Sequence, residues 1–177
     1  MEPDPTTTAR FAELLAGPAE CLPLDEAVLL VAAHDHAVDV PAVRQQLDDL
    51  AARCAEPSVG AVVELLFGEL GFGGDADDYH HPDNSFLDRV VERRRGLPIV
   101  LSVLMTEVGA RAGVCLAPIG MPGHFLVRDC ADPDAFVDPF HGGRRLDRAG
   151  CAEVFASLHP GVRFDDRFLE PVDTRAV

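Results

Sequence analysis

The sequence contains no lysine; all 15 residues counted as Lys+Arg are arginine. A Schiff-base amine, a phosphate-loop lysine and a kinase-type ATP lysine are therefore impossible here, and three enzyme strategies fall away together. Positive charge is scarce as well. The 30 acidic residues leave a formal net charge of -15, a field that disfavours DNA, RNA and anionic membrane, because affinity for these rests on neutralising phosphates. The five cysteines (Cys21, Cys54, Cys115, Cys130 and Cys151) are odd in number, widely spaced and never in a CxxC pair. Neither a disulfide framework nor a zinc knuckle is expected, and reduced thiols in a cytoplasmic protein fit better. The opening MEPDPTTTAR has no basic or apolar leader segment, and the longest apolar runs, such as Ala27 to Ala33, fall far short of a membrane span.

What is present suffices for a core: 177 residues, 47% hydrophobic and 25% charged, the proportions of an ordinary globular domain. From Thr6 to Gly71 apolar residues recur at intervals of three and four. They predict helices over Ala9 to Ala16, Leu24 to Ala37, Pro41 to Ala55 and Ser58 to Leu70. Gly71 to Asn84 is a loop of glycines, acids and one proline, the best internal boundary. A helix capped by Asn84 is expected from Ser85 to the triplet Arg93, Arg94, Arg95. A second, apolar nearly all round, should run from Pro98 to Gly113 and be buried. Three short strands follow, Cys115 to Gly120, His124 to Asp129 and Ala135 to Phe140, and then a helix over Asp147 to Leu158. The order is α+β, with a helical part over residues 1–71 and a core over 72–177 in one compact unit.

The chemistry centres on His124 and Asp138. If the second and third strands form a hairpin about Asp132, residues whose numbers sum to about 264 face each other, and Asp138 lies one diagonal step, roughly 7–8 Å, from His124. A carboxylate that fixes the tautomer of an imidazole is a general-base arrangement.

Three blocks carry a family resemblance: Asn84-Ser85-Phe86-Leu87 leading to Glu92-Arg93-Arg94-Arg95-Gly96-Leu97-Pro98-Ile99-Val100-Leu101-Ser102, then Pro122-Gly123-His124-Phe125-Leu126-Val127-Arg128, then Phe136-Val137-Asp138-Pro139-Phe140-His141-Gly142-Gly143. Together they resemble the transglutaminase-like superfamily, in the short bacterial SirB-type group often linked to tetratricopeptide repeats. The resemblance implies a papain-like core, a central helix on an antiparallel sheet, with Cys at the helix start and His and Asp on neighbouring strands. It implies acyl-transfer chemistry, because a helix N-terminus lowers a thiol's pKa while the His accepts its proton. Pro98 stands where that pattern has the nucleophile. Cys115 and Cys130 lie at the far end of the hairpin, roughly 20 Å from His124 at about 3.3 Å per residue. Ser102, one turn beyond Pro98, is the substitute to consider, against its ordinary role of bonding the carbonyl four residues back.

Around the pair, Asn84, Arg95, Pro98, Phe125 and Phe140 are candidate substrate-binding residues, with Arg95 placed to hold a substrate carboxylate. His80 and His81 with Asp75, Asp77, Asp78 and Asp83 read as a solvated acidic loop rather than a metal site, and His34 and His36 as residues complementing a helix end. The expected function is that of a transglutaminase-like protein without the usual Cys. It binds a peptide-like, acyl-like or other small substrate and uses His124, oriented by Asp138, in acid/base, acyl-transfer or hydrolytic chemistry. The alternative is a non-catalytic interaction or regulatory module with a degenerate site, whose acidic front half docks a basic protein. Neither reading implies a cofactor or metal. The hairpin register also brings Cys115 and Cys130 together, so mild oxidation should link them; peptide mapping by mass spectrometry that never finds the linked pair would overturn the register.

Overall fold

The computed structural model describes residues 5–18, 22–173 and 175–177; Cys21 lies outside the described residues. Four helices lead: α1 (Pro5–Ala16), α2 (Leu24–Ala32), α3 (Val40–Ala52) and α4 (Val59–Val63), the last continuing into a π-helical turn, Glu64–Glu69. Their starts have local causes. Asp39 accepts the Ala42 amide at 3.1 Å ahead of α3, and Ser58 accepts that of Ala61 at 3.1 Å ahead of α4.

A short parallel ribbon pairs β1 (Gly73–Gly74) with β2 (Arg95–Gly96), and between them lie a 3-10 turn (Pro82–Ser85) and α5 (Leu87–Arg93). The expected helix start at Ser85 with an Asn84 cap is thus corrected. Asn84 is fully buried and its side-chain amide donates to the Asp78 carbonyl at 2.8 Å, so it serves the loop instead of the helix. The helix also stops before Arg95, because Arg94 turns left-handed (φ 59°) and redirects the chain alongside β1.

Next, α6 (Pro98–Arg111) buries residues on all its sides, among them Leu101, Ser102, Leu104, Met105 and Val108. Then β3 (Leu116–Met121), β4 (His124–Asp129), β5 (Phe136–Asp138) and β6 (Arg144–Leu146) form one antiparallel sheet in that order, followed by α7 (Arg148–Leu158) and a 3-10 turn, Asp166–Leu169. Val127 pairs with Val137 and Arg128 with Phe136, the register the hairpin reading requires. Alternation along the strands divides the core. Val127 and Val137 join Leu29, Leu47, Leu66, Leu101 and Leu104 on the helical side, whereas Leu126, Ile119, Met121 and Phe136 pack with Cys151 and Phe155 of α7. The sheet is therefore covered on both faces. No described helix is long and apolar enough to cross a membrane.

One expectation about the thiols is overturned. Cys115 and Cys130, flanking the open end of the β3–β4 hairpin with Cα atoms 5.4 Å apart, are joined as a disulfide. Cross-strand register brings them within the span such a bond covers.

The helical layer is tied to α6 by charge as well as by packing. Asp25 of α2 is 2% exposed and accepts from Arg44 of α3 at 2.8 Å, from the Glu26 amide at 2.7 Å and from Arg111 of α6. Arg111 also reaches Asp48 at 2.8 Å and Glu107 at 2.6 Å. A buried carboxylate stripped of one charged donor keeps its desolvation cost. Arg111→Met should therefore lower the urea midpoint with m unchanged, by the equivalent of about 2 kcal/mol, the scale of a hydrogen bond to a charged group. A loss within that of an exposed pair would show that Arg44 alone suffices.

Candidate functional site

Asp138 ends β5 with its carboxylate fully buried. One oxygen, Oδ1, accepts from His124 Nε2 at 2.9 Å, from the Phe140 amide at 3.1 Å and from the His141 amide at 3.2 Å; the other, Oδ2, accepts from His141 Nδ1 at 2.7 Å. Burial pushes the carboxyl upward, but the bonds from His124 and His141 outweigh it and hold Asp138 below the usual carboxylate value. An ionised carboxylate only accepts, so both rings turn N–H toward it. In the neutral rings this selects the Nε2–H tautomer of His124 and the Nδ1–H tautomer of His141.

The turn after β5 makes this possible. Pro139 follows the strand, Asp138 gathers the next two free amides, and Gly143 (φ 73°) returns its N–H to the Asp138 carbonyl at 3.0 Å. Phe140 lies edge-on to His124, with ring centres 6.1 Å apart, and Tyr79 lies edge-on to Phe140 at 5.8 Å. The Gly74 amide bonds the Phe140 carbonyl at 2.8 Å, and a Cβ on Gly74 would overlap the Phe140 ring. His124 is 7% exposed, whereas the His141 side chain is 55% exposed. The cluster thus has a sealed end and an open one.

The other candidates are placed differently. Ser102 is fully buried and its hydroxyl donates to the Pro98 carbonyl at 2.9 Å, the local bond a mid-helix serine commonly makes. It sits on α6, which packs on the Val127 side of the sheet, while His124 has the strand parity of Leu126. Arg95 donates to the carbonyls of Gly71 at 2.7 Å and Arg94 at 2.9 Å, closing the β1–β2 junction. Asn84, whose side-chain oxygen accepts from Arg93 at 3.0 Å and whose carbonyl accepts the Leu97 amide at 2.9 Å, connects the acidic loop to the start of α6. Pro98 opens α6 and is buried, and Phe125 is half-buried opposite Gly120. A cavity of about 240 Å³, lined in part by Leu50, Leu70, Phe72 and Val91, contains none of these residues.

The residue that sequence reasoning missed is His141. Its signal was present: an Asp before Pro at a strand end invites a turn that brings the side chain at i+3 back onto the carboxylate. With His124 and Asp138 it offers three ligand atoms within 4.8 Å of one another. Among the described residues the loop of His80 and His81 forms no such group.

Residues 40–177 match the family Transglut_core2, the transglutaminase-like superfamily. The chain belongs to the transglutaminase-like superfamily. The match takes in the whole of the His–Asp–His cluster and leaves α1 and α2 outside. A UPF0162 protein of Xylella fastidiosa (strain Temecula1 / ATCC 700964) is 39% identical over 165 residues, covering 86% of this chain and 58% of its own length. A UPF0162 protein of Vibrio cholerae is 33% identical over 119 residues, 66% of this chain and 44% of that protein. The mouse F-box only protein 21 is 32% identical over 100 residues, 51% of this chain and 16% of that protein. The chain therefore spans less than two thirds of these relatives. No solved structure matches it. The α+β order agrees with this superfamily.

The depressed pKa of Asp138 fixes the sign of a pH effect. Stability from its ionised form is fully present above the unfolded carboxylate value, about 4, and is lost as pH falls through the lower folded value. Asp138→Asn should be less stable than the parent at pH 7, by about 2 kcal/mol, the scale of hydrogen bonds to a charged group. Urea titrations should show that gap shrinking at acid pH; a gap independent of pH would mean that Asp138 is not ionised in the fold.

Proposed function

We propose that this transglutaminase-like protein is an acid/base centre for a peptide- or acyl-type ligand, working through His124 and Asp138 without a protein nucleophile. The observation that carries this reading is the buried Asp138 carboxylate, held ionised by donors on two sides and so able to fix the tautomer of His124.

The thiols support the second half of the reading. Cys115 and Cys130 are bonded to each other. Burial raises the pKa of Cys54, and burial followed by the charges of Asp147 and Asp138 pushes Cys151 up to about 12, so both remain protonated. Among the described residues no thiolate is available, and Pro98 occupies the start of α6, where the family resemblance has its Cys. The attacking group is then water or a nucleophile on the ligand, with imidazole moving the proton. The SirB-type assignment and a linkage to tetratricopeptide repeats are part of this proposal; relatives longer than this chain leave room for such an extension.

One observation favours the alternative, a non-catalytic module with a degenerate site: His124 is 7% exposed under Phe140. In that case the acidic front half would dock a basic protein. Turnover separates the two readings. The full chain should hydrolyse members of a panel of peptide amides and activated acyl esters. His124→Ala and Asp138→Asn should lower kcat by about 10²- to 10⁴-fold, the usual contribution of a positioned acid or base. Ser102→Ala should leave kcat within about twofold, since its hydroxyl bonds only its own helix. Equal rates for the parent and the His124 and Asp138 variants, all folded, would overturn catalysis by this pair.

A further inference from the structure

We infer that His124, Asp138 and His141 form a binding site for one divalent transition-metal ion of the zinc class. This goes beyond the acid/base reading: with an ion bound, His124 and Asp138 would serve as its ligands, and the ion would supply the activated water that the absence of a thiol leaves wanting.

The geometry is that of a compressed ligand set. His124 Nε2 lies 2.9 Å and His141 Nδ1 2.7 Å from the Asp138 carboxylate, and all three ligand atoms lie within 4.8 Å of one another. Ligands at about 2.0–2.1 Å from a tetrahedral ion sit about 3.3 Å apart, so an ion replacing the two shared protons would open each carboxylate–imidazole contact by roughly half an ångström and hold the two ring nitrogens at that same spacing, each ring keeping its remaining proton on its other nitrogen. The imidazole ring centres are 5.7 Å apart and inclined at 44°; two imidazoles on one tetrahedral ion have ring centres about 5 Å apart. Two nitrogens and one carboxylate are the donor set such ions prefer over hard oxygen-seeking cations.

The surroundings are prepared for it. Asp138 is oriented by the Phe140 and His141 amides, the outer contacts that hold a ligating carboxylate in place. His124 and Asp138 are buried, while the His141 side chain is 55% exposed, so an ion would enter from the His141 side and find its fourth position there. Three protein ligands with an open fourth position form a catalytic rather than a structural pattern. An ion held there would lower the pKa of a bound water to about 7 and would polarise an acyl carbonyl. In hydrolysis the water oxygen becomes bonded to the acyl carbon and the bond to the leaving nitrogen or oxygen breaks. One water proton ends on the leaving group and the other on the acid product.

The test is isothermal calorimetry of the full chain, first stripped with a chelator, with zinc and with cobalt(II) as probes. One equivalent should bind and raise the thermal midpoint. His141→Ala, at an exposed position, and His124→Ala should each weaken binding by at least about tenfold and remove the thermal shift, as loss of a ligand does. The double variant His80→Ala/His81→Ala should bind as the parent does. Absence of one-equivalent binding, unchanged affinity in His141→Ala, or loss of binding in the His80/His81 variant would each overturn the metal site. The acid/base reading fails separately, through turnover: chelator-stripped protein that still loses kcat on His124→Ala would refute the ion as the source of activity while retaining the pair.

Discussion

The buried carboxylate of Asp138 is the constraint around which the C-terminal half is arranged. An unpartnered carboxylate in that position would cost several kcal/mol, on the order that forces such groups to neutralise. It stays ionised because four donors converge on it, two imidazole N–H groups and two backbone amides. Those donors dictate local structure. The amides of Phe140 and His141 face Asp138 only if β5 stops there and the chain turns, so the electrostatic requirement ends the strand. The same turn delivers Phe140 to the Gly74 amide and couples the β1–β2 ribbon to the cluster.

Asn84 extends the constraint toward the helical layer. Its side chain binds the Asp78 carbonyl and the Arg93 guanidinium, and its backbone carbonyl accepts the Leu97 amide, so one residue fixes the acidic loop, the end of α5 and the entry to α6. At the other end of α6, Arg111 reaches back to Asp25 on α2. The central helix is thus held at both ends by polar groups and along its length by apolar packing. This restricts how α6 shifts against the sheet that carries His124. The strong negative charge belongs to another part of the molecule, since 12 of the 15 net charges precede residue 98. Its effects are on solubility and docking by the helical layer more than on the charge of a ligand at His124.

The sequence was legible where pattern alone decides structure. The all-round apolar character of α6 gave the buried helix, and a turn about Asp132 gave the β4–β5 register that brings His124 to Asp138, while the β3–β4 pairing brings Cys115 to Cys130. It was less legible where a side chain competes with the backbone. Asn84 before a helical pattern reads as a cap, yet its side chain bonds the preceding loop at Asp78 and the far end of α5 at Arg93 instead of the first helical amides, a choice the cap rule does not weigh. His141 was hidden because a turn residue has no periodicity to betray it. The β6 strand, three residues long with two exposed arginines, lacks the apolar alternation that marks a strand. The disulfide was set aside on arithmetic of number and spacing, while the pairing itself follows from register.

The missing lysine and the state of the described thiols lead to one further step. An acyl-transfer site of the thiol type needs a thiolate to receive the acyl group and an amine to take it away. The chain has no side-chain ammonium at all, and its described thiols are either bonded to each other or kept protonated by burial. Both participants must therefore come from outside the described structure, as water, an activated group on the ligand, or an amine on a partner. What the described residues do supply is the part that neither water nor a partner brings: an oriented imidazole and a carboxylate held ionised at neutral pH, buried on one side and open through His141 on the other. A site so built is suited to controlling a proton or an ion beside a reacting carbonyl, and poorly suited to storing an acyl group.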